Sequence, residues 1–383
     1  MTISIKKKTD VYTKHHSFDT FISRINADVN QQKVRVLKAI QVLDHPRRGF
    51  SQEIFDSIKV DLESPDGLFK ITPHIADELS KLDDKLIPRY IAHRYRYDVY
   101  PKLRKLDDYP PYLQIEPTSI CNYRCVFCYQ SDKTFSAKSS GQMGSMTLDL
   151  FKQVVDQIEG KVEFISLASR GEPLVCRDID AMLEYCVGKF VGLKLNTNAS
   201  LLTEQHCHAI LAGGINTVVF SADAGEEPLY SQLRVGGTLE NVRKKIELFQ
   251  QIQNKHYPQS RLISRVSGVK VTDQQDMASM QKTWGDFVDQ LMFVKYNPWE
   301  NVYESPVNTV SAPCSDLWRR MFIWYDGKVN PCDTDYRSTL SVGDIQTHSI
   351  PELWQSEHYQ LLRQRHISQE RSQLNPCKRC TVI

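Results

Sequence analysis

Seven of the ten cysteines in this sequence fall into two groups, and grouped cysteines are frequent metal ligands. The first group is Cys121, Cys125 and Cys128, and the second is Cys314, Cys332, Cys377 and Cys380. The other three, Cys176, Cys186 and Cys207, are scattered, and a lone free cysteine packs like a small apolar side chain. In a reducing compartment structural disulfides are rare, so the grouped thiols predict bound metal.

The first group places three thiolates on one short loop. Three thiolates can hold three corners of a [4Fe–4S] cluster and leave the fourth iron open for chemistry, unlike the four cysteines of an electron carrier. The same compact spacing suits zinc, but structural zinc needs four ligands, and this loop offers no further cysteine or histidine. We therefore favour an iron–sulfur cluster with one open iron.

The second group supplies four thiolates. Four thiolates saturate four irons, so this cluster could only pass electrons, orient a substrate or stabilise the fold. A zinc ion on the same four thiolates is the competing interpretation. A hairpin signal at Asp326-Gly327 would bring Cys314 and Cys332 together, and a helix begun by the capping box of Ser349 and Glu352 would return the chain to the last two cysteines.

Short apolar runs alternate with amphipathic ones between the two groups. The predicted strands are Tyr112–Glu116, Val162–Ala168, Val191–Thr197, Thr217–Ser221, Leu262–Val271 and Gln290–Tyr296. The predicted helices between them are Thr147–Glu159, Ile179–Gly188, Thr203–Ala212, Leu239–Gln253 and Asp273–Gly285. Such alternation builds a parallel sheet with right-handed crossovers, and six strands are too few for a full eight-stranded barrel. The predicted fold class is α/β, a partial (β/α)6 parallel-stranded barrel.

Two further regions flank this barrel, which is predicted to span 106–300. Residues 1–105 contain no cysteine and indicate a mainly helical N-terminal extension, with one helix over Val34–Leu43 that ends at Pro46 and Gly49. The alternation in Ile58–Leu62 hints at a strand. Residues 301–383 are expected to form a small β-hairpin and helix module that carries the second cysteine group.

Composition narrows the class of partner. Lys+Arg 48 against Asp+Glu 46 leaves a formal charge of +2, which predicts no nucleic-acid partner. The first ten residues, MTISIKKKTD, are followed by no apolar run, so no signal peptide is expected. No apolar stretch approaches the ~20 residues of a membrane-spanning helix, so we expect no membrane partner and a soluble, cytoplasmic protein.

The first cysteine loop resembles the signature of the radical S-adenosylmethionine enzymes, C-x3-C-x-Φ-C, with Phe127 at the aromatic position Φ. This resemblance implies that the open iron binds the methionine part of S-adenosylmethionine. One electron, from a flavodoxin- or ferredoxin-type donor, then yields a 5′-deoxyadenosyl radical that abstracts a substrate hydrogen. It also implies that Phe127 lies near the adenine and that the backbone of Tyr129 hydrogen-bonds it.

Two motifs after the second and third predicted strands resemble cofactor-binding segments of this family. Ser169-Arg170-Gly171-Glu172-Pro173 is similar to G-G-E-P, whose carbonyl and acid receive the methionine ammonium, which assigns Gly171 and Glu172 to the cofactor. Arg170 replaces the first glycine, which puts the turn geometry in question. Asn196-Thr197-Asn198-Ala199 is similar to T-N-G, with Asn198 facing the ribose. Ordinary turn roles stay open for both motifs.

A third motif follows the fourth predicted strand. Ser221-Ala222-Asp223 resembles the family's S-x-D pattern, in which the serine helps to bind the cofactor. Asp223 is open as a substrate contact or a structural cap. Arg234 could pair with the cofactor carboxylate, although most arginines form surface ion pairs.

The C-terminal pattern C-x12-G-x4-C followed by C-x2-C resembles the SPASM/twitch extension, in its shortened form with one auxiliary [4Fe–4S] cluster. Its spacing is similar to that of the 2-deoxy-scyllo-inosamine dehydrogenases and to SPASM maturases. A closed cluster beside a radical site predicts that a substrate radical loses an electron, so the leading hypothesis is oxidation of a small, sugar- or cyclitol-like alcohol. The alternatives are a peptide maturase with an N-terminal peptide-recognition region and, from another class, a non-catalytic zinc-binding adaptor.

Overall fold

The computed structural model describes residues 11–13, 18–41, 50–298, 300 and 302–383. A helix over Val29–Gln41 confirms the first predicted helix as far as the description extends. Its predicted end at Pro46 and Gly49 lies outside the described residues, as do the first ten residues.

Ten strands form a single sheet in the described part of the chain. They are β1 (Phe18–Ser23), β2 (Tyr112–Ile115), β3 (Phe164–Leu167), β4 (Gly192–Thr197), β5 (Thr217–Ser221), β6 (Ile263–Lys270), β7 (Gln290–Lys295), β8 (Arg320–Ile323), β9 (Lys328–Asn330) and β10 (Gly343–Asp344). Their order is β1-β7-β6-β5-β4-β3-β2-β8-β9-β10. The strands from β2 to β7 are parallel and coincide with the six predicted ones, which confirms the partial barrel.

Thirteen α-helices accompany this sheet in the described residues. They are α1 (Val29–Gln41), α2 (Gln52–Glu63), α3 (Pro73–Ser80), α4 (Ile87–Leu103), α5 (Lys133–Ser136), α6 (Leu148–Ile158), α7 (Ile179–Tyr185), α8 (Glu204–Ala212), α9 (Leu229–Leu233), α10 (Leu239–His256), α11 (Met277–Trp284), α12 (Ile350–Trp354) and α13 (Glu357–Ile367). No helix among the described residues is both long enough and apolar enough to cross a membrane.

The apolar positions explain how the helices cover the sheet. In α6 the buried residues Phe151, Val154, Val155 and Ile158 recur at helical spacing, and they join one large core with the outward-facing residues of the strands. Successive side chains of a strand point to opposite faces, so the alternate residues line the inner, concave face of the sheet. Loops at the carboxyl ends of these strands therefore meet at one rim.

The C-terminal region continues the sheet. Strand β8 pairs in parallel with β2, with Tyr112 opposite Arg320 and Ile115 opposite Ile323, and β9 returns antiparallel to it. The hairpin turn at Gly327 has φ +90°, a conformation that favours glycine. The capping box of Ser349 at the start of α12 is also as predicted.

One expectation for the N-terminal region is wrong. Ile58 and Leu62 do not lie in a strand but in α2, where both are buried while Val60 is 66% exposed, as a helical period requires. A strand does occur, but at Phe18–Ser23, where it pairs antiparallel with β7 at the edge of the sheet. The strand hint for a peptide-recognition unit at residues 58–62 is therefore lost.

Candidate active site

The first cysteine group lies on the loop after β2, at the carboxyl end of the parallel strands. Cys125 is buried and Cys121 and Cys128 are partly buried. Backbone hydrogen bonds hold the loop against the end of α9 and the residues after it, from Val126 N to the Leu233 carbonyl (3.1 Å) and from Arg124 N to the Val235 carbonyl (2.8 Å). The three thiols therefore lie on a fixed, largely dry loop.

The raised pKa values of these thiols indicate that a bound metal would have to displace their protons. Burial, together with the neighbouring Glu172 carboxylate, raises the pKa of Cys121 to about 12, and burial also raises the pKa of Cys125 and of Cys128. Such thiols keep their protons unless a metal replaces them. Backbone N–H groups already point at two of the sulfurs, from Tyr123 to Cys121 Sγ (3.4 Å) and from Gln130 to Cys128 Sγ (3.5 Å), as hydrogen bonds to cluster sulfurs do. The donor set fits an iron–sulfur cluster.

The turn after β3 requires a glycine at position 171, whereas the preceding position tolerates the side chain of Arg170. Ser169 carries the unusual backbone, with φ +136°, and its carbonyl accepts a hydrogen bond from Tyr129 Oη (2.8 Å). A Cβ added at Gly171 would lie 2.3 Å from the Thr118 carbonyl oxygen, so the loop before the cysteines approaches too closely for any side chain. Gly171 therefore links this turn to the cysteine loop.

Glu172 is buried and fully engaged. Its carboxylate accepts hydrogen bonds from Thr197 Oγ1 (2.5 Å), Asn198 N (2.7 Å) and Leu174 N (3.1 Å). Burial raises the pKa of Glu172 despite these donors. Its observed contacts thus join the turn after β3 to the end of β4, whereas a contact to a methionine ammonium is still a prediction.

Asn198 connects the end of β4 to the cysteine loop. Its Nδ2 donates to Asn122 Oδ1 (2.9 Å), and Asn122 directly follows Cys121. Ala199 has φ +62°, which explains why glycine suits this position in the family's pattern. The structure thus brings two of the predicted motifs into contact through their side chains.

The third motif forms a buried ion pair. Arg234 donates to Asp223 from Nε, and Asp223 Oδ1 also accepts from Val269 N (2.6 Å). Burial opposes the charge of Arg234, but Asp223 and Cys125 outweigh it and raise its pKa above the ordinary value. The guanidinium lies 5.7 Å from the centre of the buried Phe127 ring. Arg234 is therefore no surface residue, and Asp223 holds it beside the cysteine loop.

Ser221 and Tyr129 complete the set of predicted cofactor contacts. Ser221 ends β5 and is partly exposed at the same rim. The Tyr129 carbonyl already accepts from Asp132 N (3.0 Å), and its ring stacks on Tyr336 with the centres 5.1 Å apart. The predicted residues thus surround one rim of the sheet.

Sequence reasoning missed the network around Arg170. This buried side chain binds Glu116 with two hydrogen bonds, Nε to Oε2 (2.7 Å) and Nη2 to Oε1 (2.6 Å), and donates Nη1 to the Tyr336 carbonyl (2.9 Å). Its guanidinium also lies 4.2 Å from the centre of the Trp324 ring. Arginine at the usual glycine position was the signal available in the sequence. The residue ties the rim to the C-terminal hairpin.

The second cysteine group is brought together by the C-terminal elements. Burial raises the pKa of Cys332 far above its ordinary value, and the neighbouring Asp335 and then the other three thiols add to this rise. Cys314 N donates to His366 Nδ1 (3.2 Å), and Val382 N donates to Cys380 Sγ (3.5 Å). These four thiols fit a closed auxiliary cluster.

Arg371 organises the backbone around the last two cysteines. This buried side chain donates to the carbonyls of Ala312 (2.8 Å), Cys377 (3.3 Å), Cys380 (2.8 Å) and Val382 (3.1 Å). It therefore joins the segment before Cys314 to the C-terminal pair.

Replacing Arg371 with Gln should cause selective loss of the cluster bound by the second cysteine group. The shorter amide cannot reach four carbonyls, so the iron content of anaerobic protein should fall from about eight to about four atoms per chain. Iron analysis and electron paramagnetic resonance would measure the loss. Arg365→Gln, at a partly exposed position of α13, is the control and should keep all the iron; equal iron in both variants would contradict this role of Arg371.

A single-ion site is not formed by either group. No three His, Cys, Asp or Glu side chains in the described ranges are placed so that they could hold one metal ion. Tetrahedral zinc draws four thiolates to about 2.3 Å from one point, whereas each cysteine of a cubane binds a separate iron.

Comparisons with known protein families agree with this site. Residues 115–274 match the family described as the radical SAM superfamily, and residues 314–381 match SPASM, an iron–sulfur cluster-binding domain. Residues 115–274 therefore form a domain of the radical S-adenosylmethionine superfamily. Its C-terminal region carries a SPASM domain, which implies an auxiliary cluster beside the S-adenosylmethionine-binding one.

Individual relatives share only part of the chain. It is similar to the tungsten-containing aldehyde ferredoxin oxidoreductase cofactor-modifying protein of Pyrococcus furiosus, with 27% identity over 37% of this chain and 40% of that protein. It is also similar to GTP 3′,8-cyclase of Clostridium botulinum, with 30% identity over 36% of this chain and 42% of that protein. The matches thus span about two fifths of the length of these curated relatives.

Solved structures share the fold at low identity. Streptococcus suis SuiB bound to precursor peptide SuiA aligns with TM-score 0.52 and 15% identity over 74% of this chain and 72% of that chain. Native anSMEcpe with bound AdoMet aligns with TM-score 0.51 and 15% identity over 70% of this chain and 88% of that chain. These likenesses establish the fold and say nothing of the substrate.

Proposed function

We propose that this enzyme uses a cluster on Cys121, Cys125 and Cys128 to cleave S-adenosylmethionine and oxidises a small polar alcohol. The observation that carries the proposal is a largely buried loop with three thiols, whose neighbouring carboxylate Glu172 is already engaged by three donors. The protein therefore offers three ligands and leaves the fourth iron for the cofactor. The proposed cofactor-binding residues are Phe127, Tyr129, Gly171, Glu172, Asn198, Ser221 and Arg234.

The chain's own residues position these groups. When bound, the first cluster and S-adenosylmethionine supply a radical that removes a hydrogen atom, and the auxiliary cluster supplies an acceptor for one electron. Glu172 accepts a hydrogen bond from Asn198 N, and the Asn198 side chain donates one to Asn122, the residue after Cys121. These bonds fix the relative positions of the turn after β3, the end of β4 and the cysteine loop. Such preorganisation places the reacting carbon without a rearrangement at each turnover.

The oxidation balances as the loss of two hydrogens. A hydrogen atom would leave the carbon that bears the hydroxyl, and a proton would leave the hydroxyl oxygen. The remaining electron would need an acceptor, which a cluster held by Cys314, Cys332, Cys377 and Cys380 would supply. The product is a carbonyl compound and 5′-deoxyadenosine. The polar side chains on the inner face of the sheet, among them Lys194 and Asn196, support a polar substrate rather than an apolar one.

The test is an anaerobic incubation of the holoenzyme with reductant, S-adenosylmethionine and a panel of sugars and cyclitols. We expect 5′-deoxyadenosine together with a product two mass units lighter than one substrate of the panel. A peptide maturase would instead consume a precursor peptide and leave every alcohol intact. A zinc-binding adaptor would be colourless and contain no iron.

Replacing Cys332 with Ala should separate radical formation from oxidation. The first cysteine group is distinct from the four-thiol centre, so 5′-deoxyadenosine should still form, but the carbonyl product should fall below detection because its electron acceptor is missing. Chromatography with mass detection measures both compounds. Undiminished carbonyl product would show that the auxiliary cluster takes no electron from the substrate.

A further inference from the structure

The inner face of β4 presents polar groups to the interior of the partial barrel. Leu193 and Leu195 point outward into the core and are 2% and 0% exposed. Lys194 and Asn196 alternate with them and are therefore on the concave face, where both are partly exposed. Both side chains thus face the interior of the partial barrel.

Positive charge accumulates in this interior. Lys194 interacts electrostatically with Arg265 of β6 and Arg320 of β8, which come from strands on either side of β4 in the sheet. The facing carboxylate is Glu78 of α3, whose Oε1 lies 4.0 Å from Arg265 Nη2 and whose Oε2 accepts from Tyr90 Oη (2.5 Å). Arg320 has its own carboxylate, since its Nε lies 4.0 Å from Asp316 Oδ1, and Arg265 also interacts with Asp77. Of the three cations, Lys194 is therefore the one without a carboxylate at ion-pair distance among the described residues.

The polar groups of this interior are incompletely satisfied. Lys194 forms no ion pair with any residue in the described ranges, and Asn196 Oδ1 and the buried Arg265 Nη2 have no hydrogen-bond partner. Burial, and then the neighbouring arginines, lower the pKa of Lys194 to about 7, and burial also lowers the pKa of Arg265. A buried cation without an ion-pair partner, as Lys194 is here, is costly, and an anion would offset that cost.

We propose that the substrate of the oxidation carries an anionic group, a carboxylate or a phosphate, that pairs with Lys194 and Arg265. This inference rests on the proposed function and adds the chemical class of the substrate to it. Lys194 lies four residues before Asn198, which directly follows the end of β4, so roughly 13 Å separates it from the rim. The anionic end is therefore bound deep in the barrel, and the alcohol carbon points toward the cysteine loop.

Matched pairs of neutral and acidic compounds test this class. The holoenzyme would be given glucose, gluconate and glucose 6-phosphate, and myo-inositol with its monophosphate, while 5′-deoxyadenosine and the oxidised product are measured. We expect an acidic member to be oxidised with a KM about 30-fold or more below that of its neutral partner. Gluconate and the phosphates distinguish the two anions. Preference for the neutral member would overturn the inference and leave the proposed oxidation intact.

Replacing Lys194 with Gln should remove this preference. KM for the acidic substrate should rise about 30-fold or more, while Lys152→Gln on the outer helix α6 should leave KM unchanged. If no compound of the panel is oxidised, the proposed function fails for these alcohols, and titration with inorganic phosphate decides the inference alone. Phosphate should raise the thermal midpoint of the wild type but not of Lys194→Gln; an equal effect on both would refute the site.

The pH dependence of the thermal midpoint distinguishes an anion-binding role of Lys194 from a structural role. Because the folded protein holds Lys194 at a pKa of about 7, against 10.5 for an ordinary lysine, the buried charge destabilises the folded state fully below pH 7 and not at all above pH 10.5. Lys194→Gln should therefore melt about 2–4 °C above the wild type below pH 7, with the gain vanishing toward pH 10.5. A structural lysine would show a loss instead.

Discussion

Replacing Cys125 with Ala should abolish the production of 5′-deoxyadenosine and lower the iron content from about eight to about four atoms per chain. Two thiols cannot hold the first cluster in a dry loop, because a further iron would lack a protein ligand. The auxiliary cluster should persist, since its four thiols lie on the C-terminal elements. Iron analysis, electron paramagnetic resonance and chromatography of the nucleoside products would measure the three effects.

Cys207→Ala is the matched control for this experiment. Cys207 is a fully buried cysteine of α8 and belongs to the apolar core. It should keep all the iron and the normal rate of cofactor cleavage, at a small cost in stability. If Cys125→Ala still forms 5′-deoxyadenosine at the wild-type rate, the assignment of the radical site is wrong.

Replacing Arg170 with Met should destabilise the protein by about 3–5 kcal/mol. The change leaves the carboxylate of Glu116, which is 0% exposed, without its buried cationic partner. It also removes the hydrogen bond to the Tyr336 carbonyl and the contact with Trp324. Anaerobic urea unfolding would measure the loss.

The double variant Arg170→Met with Glu116→Gln tests the physical reason. Without the carboxylate no uncompensated charge is buried, so the double variant should recover a large part of the lost free energy. Arg243→Met, whose side chain lies on the exposed face of α10, should change the stability by less than about 1 kcal/mol. A double variant less stable than Arg170→Met alone would contradict the charge-burial argument.

The sequence was most informative where one face of an element is apolar. The six parallel strands were predicted within one or two residues because Leu193 and Leu195, and their equivalents in the other strands, enter one core. Strand β1 was missed because an edge strand with partly exposed residues lacks this pattern. The parallel pairing of β8 with β2 was also unpredictable, because it joins segments separated by about two hundred residues and leaves no local signal.

The residues of the candidate site likewise divide into those that could be predicted from the sequence and those that could not. The cysteines and the motifs at Glu172, Asn198 and Ser221 could be found from residue type and from their places after predicted strands. Lys194 could not, because its importance depends on Arg265 and Arg320 from strands elsewhere in the sheet. Long-range placement of charge, unlike short-range spacing, is visible only in three dimensions.

The hydrogen bonds between β2 and β8 limit where the chain can be truncated and which of its regions can be exchanged. A chain cut near residue 300 would leave β2 with a bare row of backbone donors and acceptors, and the detached fragment would carry the complementary row on β8. Such edges adhere to other chains. The regions that carry the two cysteine groups are therefore parts of one folding unit. Replacing one of them with the corresponding region of another protein requires keeping the hydrogen bonds between β2 and β8 as well as the metal ligands.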